Sequence, residues 1–278
     1  MDLFDDSIIE IRDWVNLKKK AGPFCSYSFS SEELKNLVLK DPAGSGRGGD
    51  IVLKEETRME LGHPSMGSCA AVLVTHRMDL VSDGTISLIG PEITEMEEGR
   101  HPFAQIILAA LNRPDKIDLP SQTTMEIENI SSRIDRVAHQ SAQTDGYMIR
   151  SVPSLIWARV SKKAFHSGFS LNGLGGRILA AIKHGCPQVR ACSIFFVTRS
   201  KTEVDELDDL VEKARVKQRQ LETYAVGSDG EFECSRELDC NSCSEQVVCD
   251  TIRDVIRIRK GDRVVSIGGG ESTRSRSE

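Results

Sequence analysis

Apolar side chains recur every three or four residues along several stretches of this chain, which is the spacing of a helix with one buried face. In residues 7–20, for example, Ile8, Ile11 and Val15 share one face, and Ser7 with Glu10 three residues later matches the capping pattern of a helix start. The same spacing recurs further along the chain. It predicts helices over residues 7–20, 31–39, 125–143, 171–184 and 201–224.

Short runs of β-branched and apolar residues separate these helices and predict strands. The predicted strands are residues 51–54, 69–75, 85–89, 154–160, 189–198 and 263–267. One further run, residues 103–111, lies between Pro102 and Pro114 and fits a buried strand or a buried short helix equally well. Together these elements predict an α/β fold, with a mixed sheet and flanking helices, plus a small cysteine-rich metal-binding C-terminal segment.

Changes in pattern along the chain predict four parts. Residues 1–88 form an N-terminal α/β part, and residues 89–226 form the main α/β domain. Residues 227–267 form the cysteine-rich segment, and the glycine- and serine-rich residues 268–278 form a disordered tail. The glycine-rich stretch at 41–50 lacks the spacing of a nucleotide-binding loop and is predicted to be a flexible turn.

The composition narrows the class of protein. With 278 residues, 39% hydrophobic and 28% charged, the chain is expected to fold as a soluble globular protein. A formal net charge of −6 argues against binding along a nucleic-acid backbone, which requires a basic face. Since no apolar run is long enough for a membrane span and the start lacks a signal-peptide pattern, a cytoplasmic location without membrane contact is expected.

Four of the eight cysteines lie within sixteen residues, at a C-x5-C-x2-C-x5-C spacing. The four are Cys234, Cys240, Cys243 and Cys249. A C-x2-C step brings two thiolates to one metal, and thiolate is the ligand that zinc and iron–sulfur clusters select. All-cysteine zinc sites usually contain two such steps and this segment contains one, so a [4Fe-4S] cluster is favoured, with structural zinc as the alternative. Cys186 and Cys192 are predicted to be buried core residues instead.

Several stretches between residues 89 and 215 resemble the middle region of the β subunit of the carbon monoxide dehydrogenase/acetyl-CoA synthase complex. The most specific is IWARVSKKAFHSGF at residues 156–169, and IGPEITE at 89–95 and LGGRIL at 174–179 accompany it. The resemblance implies an α/β domain that helps to hold coenzyme A and docks against neighbouring domains. Acetyl transfer in that family needs a nickel site with a Cys-Gly-Cys motif, and this sequence contains neither that motif nor a second cysteine cluster after Cys249.

Basic residues and glycines within this region are the candidate cofactor-binding residues. Arg159 lies near the end of a predicted strand and Lys162 lies just after it, where both can meet a phosphate of a nucleotide or coenzyme. Gly175, Gly176 and Arg177 belong to a glycine-rich stretch just before or within the first turn of a predicted helix, where free N–H groups attract anions. Trp157 and Phe165 are predicted to lie in the core.

Two functions remain open from the sequence. The first is a divergent or accessory iron–sulfur component of anaerobic one-carbon or acetyl-CoA metabolism, without its own nickel centre and with a protein partner in a one-carbon or redox complex. The second is a non-catalytic interaction module that zinc holds together. The chain contains no nucleophile–base pair or helix-borne histidine pair that would define a reaction, and a homo-oligomer is compatible with either function.

Replacing one cysteine tests the metal and the division into core and appendage together. We expect Cys243→Ser to lose the metal and to disorder the C-terminal segment, while the α/β core keeps its fold because its burial does not depend on the site. Anaerobic purification with iron, sulfide and zinc analysis gives the first readout and hydrogen exchange gives the second. Exchange that shows the whole chain unfolded in the variant would contradict the division.

Overall fold

A computed structural model describes residues 4–40, 51–112, 120–152 and 155–223. Residues Met1–Lys217 form one compact unit, and the second unit, Gln218–Glu278, is described only as far as residue 223. The predicted cysteine site, the strand at 263–267, the tail and the turn at 41–50 therefore lie outside the described residues. Within those residues, no helix combines the length and the apolar character needed to cross a bilayer.

Helices and strands alternate along the chain. The α-helices of the described part are α1 (Asp5–Lys18), α2 (Ser31–Lys40), α3 (Pro120–Ala142), α4 (Lys162–His166), α5 (Leu171–Gly185) and α6 (Lys201–Thr223). The strands are β1 (Phe24–Ser28), β2 (Thr57–Leu61), β3 (Ser68–Thr75), β4 (Thr85–Ile89), β5 (Gly99–His101), β6 (Phe103–Leu111), β7 (Tyr147–Val152), β8 (Leu155–Ser161) and β9 (Val189–Val197). The predicted α/β class is confirmed for this part of the chain.

Five strands form a mixed sheet in the order β1-β4-β9-β6-β3. β6 lies between β9, with which it is antiparallel, and β3, with which it is parallel. All nine of its residues are buried. This resolves the ambiguity of the apolar run at 103–111, because a strand in the middle of a sheet can bury both of its faces while its neighbours satisfy its backbone.

Helix α5 packs very closely on this sheet and on Phe29 because of two glycines. A Cβ atom added at Gly175 would lie 2.6 Å from Cδ1 of Ile86 and 3.1 Å from the ring of Phe196. At Gly176 it would lie 3.1 Å from the ring of Phe29. Helices α2 and α3 both pack against α5. The LGGRIL stretch therefore has a packing role in the fold.

The first and last described helices are joined by polar contacts. Trp14 Nε1 on α1 donates a 2.8 Å hydrogen bond to Glu206 on α6, and Lys18 Nζ lies 2.6 Å from the same carboxylate. At the other end of α1, the buried Asp5 accepts a 2.6 Å hydrogen bond from the hydroxyl of Thr75 at the end of β3. Residues far apart in sequence thereby hold α1 in place.

The other four strands form a second sheet in the order β5-β2-β8-β7. Along β8, Ile156, Ala158 and Val160 are buried, whereas Leu155 is exposed and Trp157 and Arg159 are partly exposed. This alternation is typical of a sheet with one face in the core and the other in solvent. The outer face of this sheet is therefore available to a ligand.

The hydroxyl of Ser68 connects the two sheets. It donates to the carbonyl of Ile156 at 2.6 Å and accepts from the N–H of the same residue at 2.8 Å. Ile156 lies beyond the last residue pair between β2 and β8, which is Leu61 with Ala158. Ser68 at the start of β3 thus satisfies the backbone of β8 where β2 no longer reaches it.

Most predicted elements are confirmed, with one wrong strand and several missed ones. Residues 51–54 form no strand: Ile51 and Leu53 are 72% and 54% exposed, and a short 3-10 helix follows at Lys54–Glu56. Strands β1, β2, β5 and β7 and the short helix α4 were not predicted, because they are short and rich in polar residues.

Cys186 and Cys192 are fully buried, as predicted.

The Ser68 connection predicts an unequal response to two similar substitutions. Ser68→Ala leaves the buried N–H and carbonyl of Ile156 without their partner, so we expect the free energy of unfolding to fall by about 2 kcal/mol. Ser193 is also buried, but its hydroxyl has no hydrogen-bond partner among the described residues. Ser193→Ala should therefore change the stability by less than about 0.5 kcal/mol. Urea denaturation of both variants measures the difference, and equal losses would refute the role of Ser68.

Candidate anion-binding cleft

An open cleft of about 570 Å³ lies over the outer face of the four-stranded sheet. Its lining combines basic side chains with a tryptophan and small apolar groups. The lining residues are Lys54, Glu60, Gly62, His63, Pro64, Ser68, Arg100, Arg150, Leu155, Ile156, Trp157 and Arg159. A volume of this size is in the range of small-molecule sites.

A row of three charged side chains crosses the strands at the cleft. Glu60 on β2 lies opposite Arg100 on β5 and opposite Arg159 on β8 in the strand register. Each of its two carboxylate oxygens accepts a 3.1 Å hydrogen bond from one guanidinium. One carboxylate therefore orients two guanidinium groups along the same face.

The environment of Glu60 favours its charged form. Partial burial alone would raise the pKa of this carboxyl, but the hydrogen bonds and positive charges of Arg100 and Arg159 outweigh burial and lower the pKa. Glu60 is thus expected to remain ionised at neutral pH and to keep both arginines in place.

Trp157 forms the aromatic part of the cleft. The guanidinium of Arg159 lies over its indole, 4.6 Å from the ring centroid, and Arg150 is its partner in the register of β7 and β8. The prediction that Trp157 lies in the core is wrong, because its position on β8 points to the outer face. Phe165 packs against the core only in part and lies under the guanidinium of Arg58, 4.1 Å from the ring centroid.

The wall of the cleft depends on a glycine turn. Gly62 has a φ of 69°, and a Cβ atom there would lie 2.1 Å from the carbonyl oxygen of Ile156. Only glycine permits both this backbone conformation and this close approach. The turn brings His63 and Pro64 to the edge of the cleft.

The charges of the cleft define the ligand that it can bind. The lining contains four basic side chains, Lys54, Arg100, Arg150 and Arg159, and one acidic side chain, Glu60. Guanidinium groups form paired hydrogen bonds with phosphates and carboxylates, and an indole can stack on a planar ring. The arrangement suits a ligand with several anionic groups and one flat ring system.

Two of the predicted binding residues lie in one region. Arg159 lines the cleft, and its Nη1 atom lies 3.3 Å from the carbonyl oxygen of Val52. Lys162, in the first turn of α4, reaches the same stretch through the carbonyl oxygen of Glu55 at 3.4 Å but does not line the cleft.

The other three predicted binding residues, Gly175, Gly176 and Arg177, lie on α5 and do not line the cleft. The N–H groups of Leu171 and Asn172 in its first turn donate to the carboxylate of Glu92 at 2.7 and 3.3 Å, and the N–H of Gly173 donates to Ser170. The carboxylate of Glu92 therefore satisfies two N–H groups at the start of α5. The roles predicted for Gly175, Gly176 and Arg177 stay predictions, and Arg177 donates to the hydroxyl of Thr144 at 3.0 Å.

The sequence reasoning missed most of the basic residues of the cleft. Lys54, Arg100 and Arg150 lie in three separate segments, and Glu60 lies in a strand that was not predicted. The only local signal was the presence of charged residues among apolar ones in TRMEL, YMIR and IWAR. Strand pairing was needed to bring these positions together.

Metal binding remains untested. Across the stretches that the structure describes, no group of three or more histidine, cysteine, aspartate or glutamate side chains could hold a metal ion. Cys234, Cys240, Cys243 and Cys249 lie beyond those stretches, so their role as ligands stays a prediction.

The fold and the cleft define an α/β domain with an arginine-lined site on an exposed sheet face. A family profile described as the CO dehydrogenase/acetyl-CoA synthase complex beta subunit matches residues 43–204, which is more than half of the chain. The chain belongs to this family. The matched range includes every residue that lines the cleft.

Individual relatives agree with this assignment at low identity. The chain is 29% identical over 167 residues to the acetyl-CoA decarbonylase/synthase complex subunit beta of Methanothermobacter thermautotrophicus, covering 59% of this chain and 33% of the relative. It is 26% identical over 208 residues to the protein of the same name from Archaeoglobus fulgidus, covering 74% and 33%. The chain thus spans about a third of the length of these curated relatives.

Acid should remove the contribution of Glu60 to stability. Because the pKa of Glu60 is lowered by folding, its ion pairs stabilise the protein above the unfolded pKa of about 4.3, and this contribution is lost as the pH falls through the folded value. We therefore expect Glu60→Gln to be less stable than the native protein at pH 7, with the difference shrinking towards pH 3. Denaturation curves of both proteins across this range measure the effect. A difference that does not depend on pH would show that the ion pairs contribute nothing.

Proposed function

We propose that this chain is a coenzyme A-binding component of an acetyl-CoA decarbonylase/synthase-type complex. The observation that carries the proposal is the arginine row beside Trp157 on the open sheet face. The family assignment makes coenzyme A the first ligand to consider, and the cleft supplies the groups that this ligand would need.

The chemistry of coenzyme A matches the cleft in three respects. Its diphosphate and its ribose phosphate carry several negative charges, which suits the excess of cations at Lys54, Arg100, Arg150 and Arg159. Its adenine is a flat ring that can stack on an indole such as that of Trp157. Its pantetheine arm is long and only weakly polar, and Leu155 and Pro64 provide apolar surface beside the charges.

We further propose that Cys234, Cys240, Cys243 and Cys249 hold a [4Fe-4S] cluster that serves structure or electron transfer. The support is the number and spacing of thiolates. We also propose a divergent or accessory role in acetyl-CoA metabolism, docked on a protein partner. The relatives are themselves named as complex subunits.

A zinc-held interaction module without catalytic function is the second candidate. A single C-x2-C step is compatible with it, and in that case the cleft would bind an acidic segment of a partner instead of a coenzyme. Metal analysis and ligand binding separate the two candidates independently.

Titration with coenzyme A tests the cleft directly. The sequence contains two tryptophans, so Trp14→Phe leaves Trp157 as the only indole, and its fluorescence reports on the cleft. We expect coenzyme A to change this fluorescence, and we expect Arg159→Ala to weaken binding about tenfold or more, as is typical when a charge-assisted hydrogen bond is lost. Pantetheine, which lacks the phosphates, should bind far more weakly than coenzyme A.

A matched control is Arg136→Ala, which removes a guanidinium from the exposed surface of α3. It should leave the affinity unchanged. Equal losses in the two arginine variants, or equal binding of coenzyme A and pantetheine, would refute recognition of the phosphates by the cleft.

A further inference from the structure

Strand β1 is an edge strand of the five-stranded sheet whose outer backbone groups point away from its partner. Backbone hydrogen bonds to the β4 side form at alternate residues. At the two ends of the strand, the N–H of Phe29 donates to the carbonyl of Gly84, and the carbonyl of Pro23 accepts from the N–H of Gly90. In an antiparallel pair, every second residue forms these inward bonds. The N–H and carbonyl groups of Phe24, Ser26 and Ser28 therefore point outward, and the described part of the chain places no partner on them.

The opposite edge of the same sheet is treated differently. On β3, the hydroxyl of Ser131 donates to the carbonyl of Val72, and Arg215 donates to the carbonyl of Ala70. Side chains from α3 and α6 thus cover that edge. Proteins commonly protect edge strands in this way or with charges, prolines or bulges.

Among the residues that the structure describes, β1 has none of these protections. Its sequence, FCSYS, contains no charge and no proline, and its pairing with β4 runs without a bulge. Cys25, Ser26 and Ser28 are exposed. An uncharged and uncovered edge is the surface to which another strand can be added.

We propose that this edge pairs with β1 of a second copy of the chain, antiparallel and centred on Ser26. In that register Ser26 faces Ser26 of the other copy, and Phe24 faces Ser28. All six outward groups of each strand are then paired, which a register shifted in either direction does not achieve. Absence of charge along the strand allows two identical segments to meet without repulsion.

The charges that flank the strand favour the antiparallel arrangement. Lys19 and Lys20 precede β1, and Lys19 Nζ lies over the ring of Phe24, 4.9 Å from its centroid. Glu32 and Glu33 follow it, and Glu33 accepts hydrogen bonds from the N–H and the hydroxyl of Ser30. Antiparallel pairing brings the basic end of one strand beside the acidic end of the other, whereas parallel pairing would bring like charges together.

The resulting association should be weak and sensitive to concentration and salt. Two five-residue strands bury less surface than the roughly 1,600 Å² of a standard interface. Main-chain hydrogen bonds supply most of the attraction, and the flanking charges contribute through solvent, where salt screens them. The proposal concerns a strand of the five-stranded sheet and does not depend on the binding of coenzyme A at the other sheet.

A cysteine at the proposed two-fold axis tests the pairing. Facing residues of a hydrogen-bonded antiparallel pair have Cα atoms about 5.5 Å apart, which is within the range of a disulfide. In a Cys25→Ser background, we expect Ser26→Cys to form a disulfide between two copies under mild oxidation at high protein concentration. Peptide mass spectrometry identifies the linked residues, so the other cysteines of the chain do not confuse the result.

The matched control is Ser28→Cys in the same background. In the proposed register the two copies of this residue are four positions apart along the strands, about 13 Å, and should not link. Analytical ultracentrifugation provides a second measurement: Ser26→Lys, which places two ammonium groups opposite each other, should shift the native protein towards monomer. Failure of Ser26→Cys to link, or equal linking of both cysteine variants, would overturn the proposal and indicate that another segment or another partner covers β1.

Discussion

Complete burial of β6 is the constraint on which the rest of the structure depends. A strand with all nine residues buried has no access to water, so neighbouring strands must satisfy its backbone and other elements must cover both of its faces. β9 and β3 provide the neighbours. Helices α5 and α3 pack on these two neighbours, and the outer side chains of β8 in the second sheet stay exposed or partly exposed.

The exposed face of the second sheet carries the candidate cleft. Its strands alternate between apolar residues that face the core and polar residues that face solvent, and the register aligns Arg100, Glu60 and Arg159 in one row. Ser68 joins this sheet to the buried one, directly beneath the same cleft. Ser68 thus belongs both to the connection between the two sheets and to the lining of the cleft.

Sequence reasoning succeeded where burial was extensive. The helices at 7–20 and 171–184 and the strands at 69–75 and 189–198 all carry strong apolar patterns, and the structure confirms them. It failed where burial was partial. The short strands β2 and β7 are half polar, so their composition resembles that of loops, and Trp157 was assigned to the core because size alone does not show which face of a strand it occupies.

The sequence by itself determined the α/β class, most helices, the buried strands and membership of a family, because hydrophobic periodicity and specific words such as IWARVSKKAF are local properties of the chain. Of the cleft, it identified only Arg159. Tertiary structure decided the rest: it joined basic residues from four segments into one site and used Glu92 to occupy the start of α5. Pairing between distant strands sets these positions, and that pairing depends on contacts between residues that no local pattern relates.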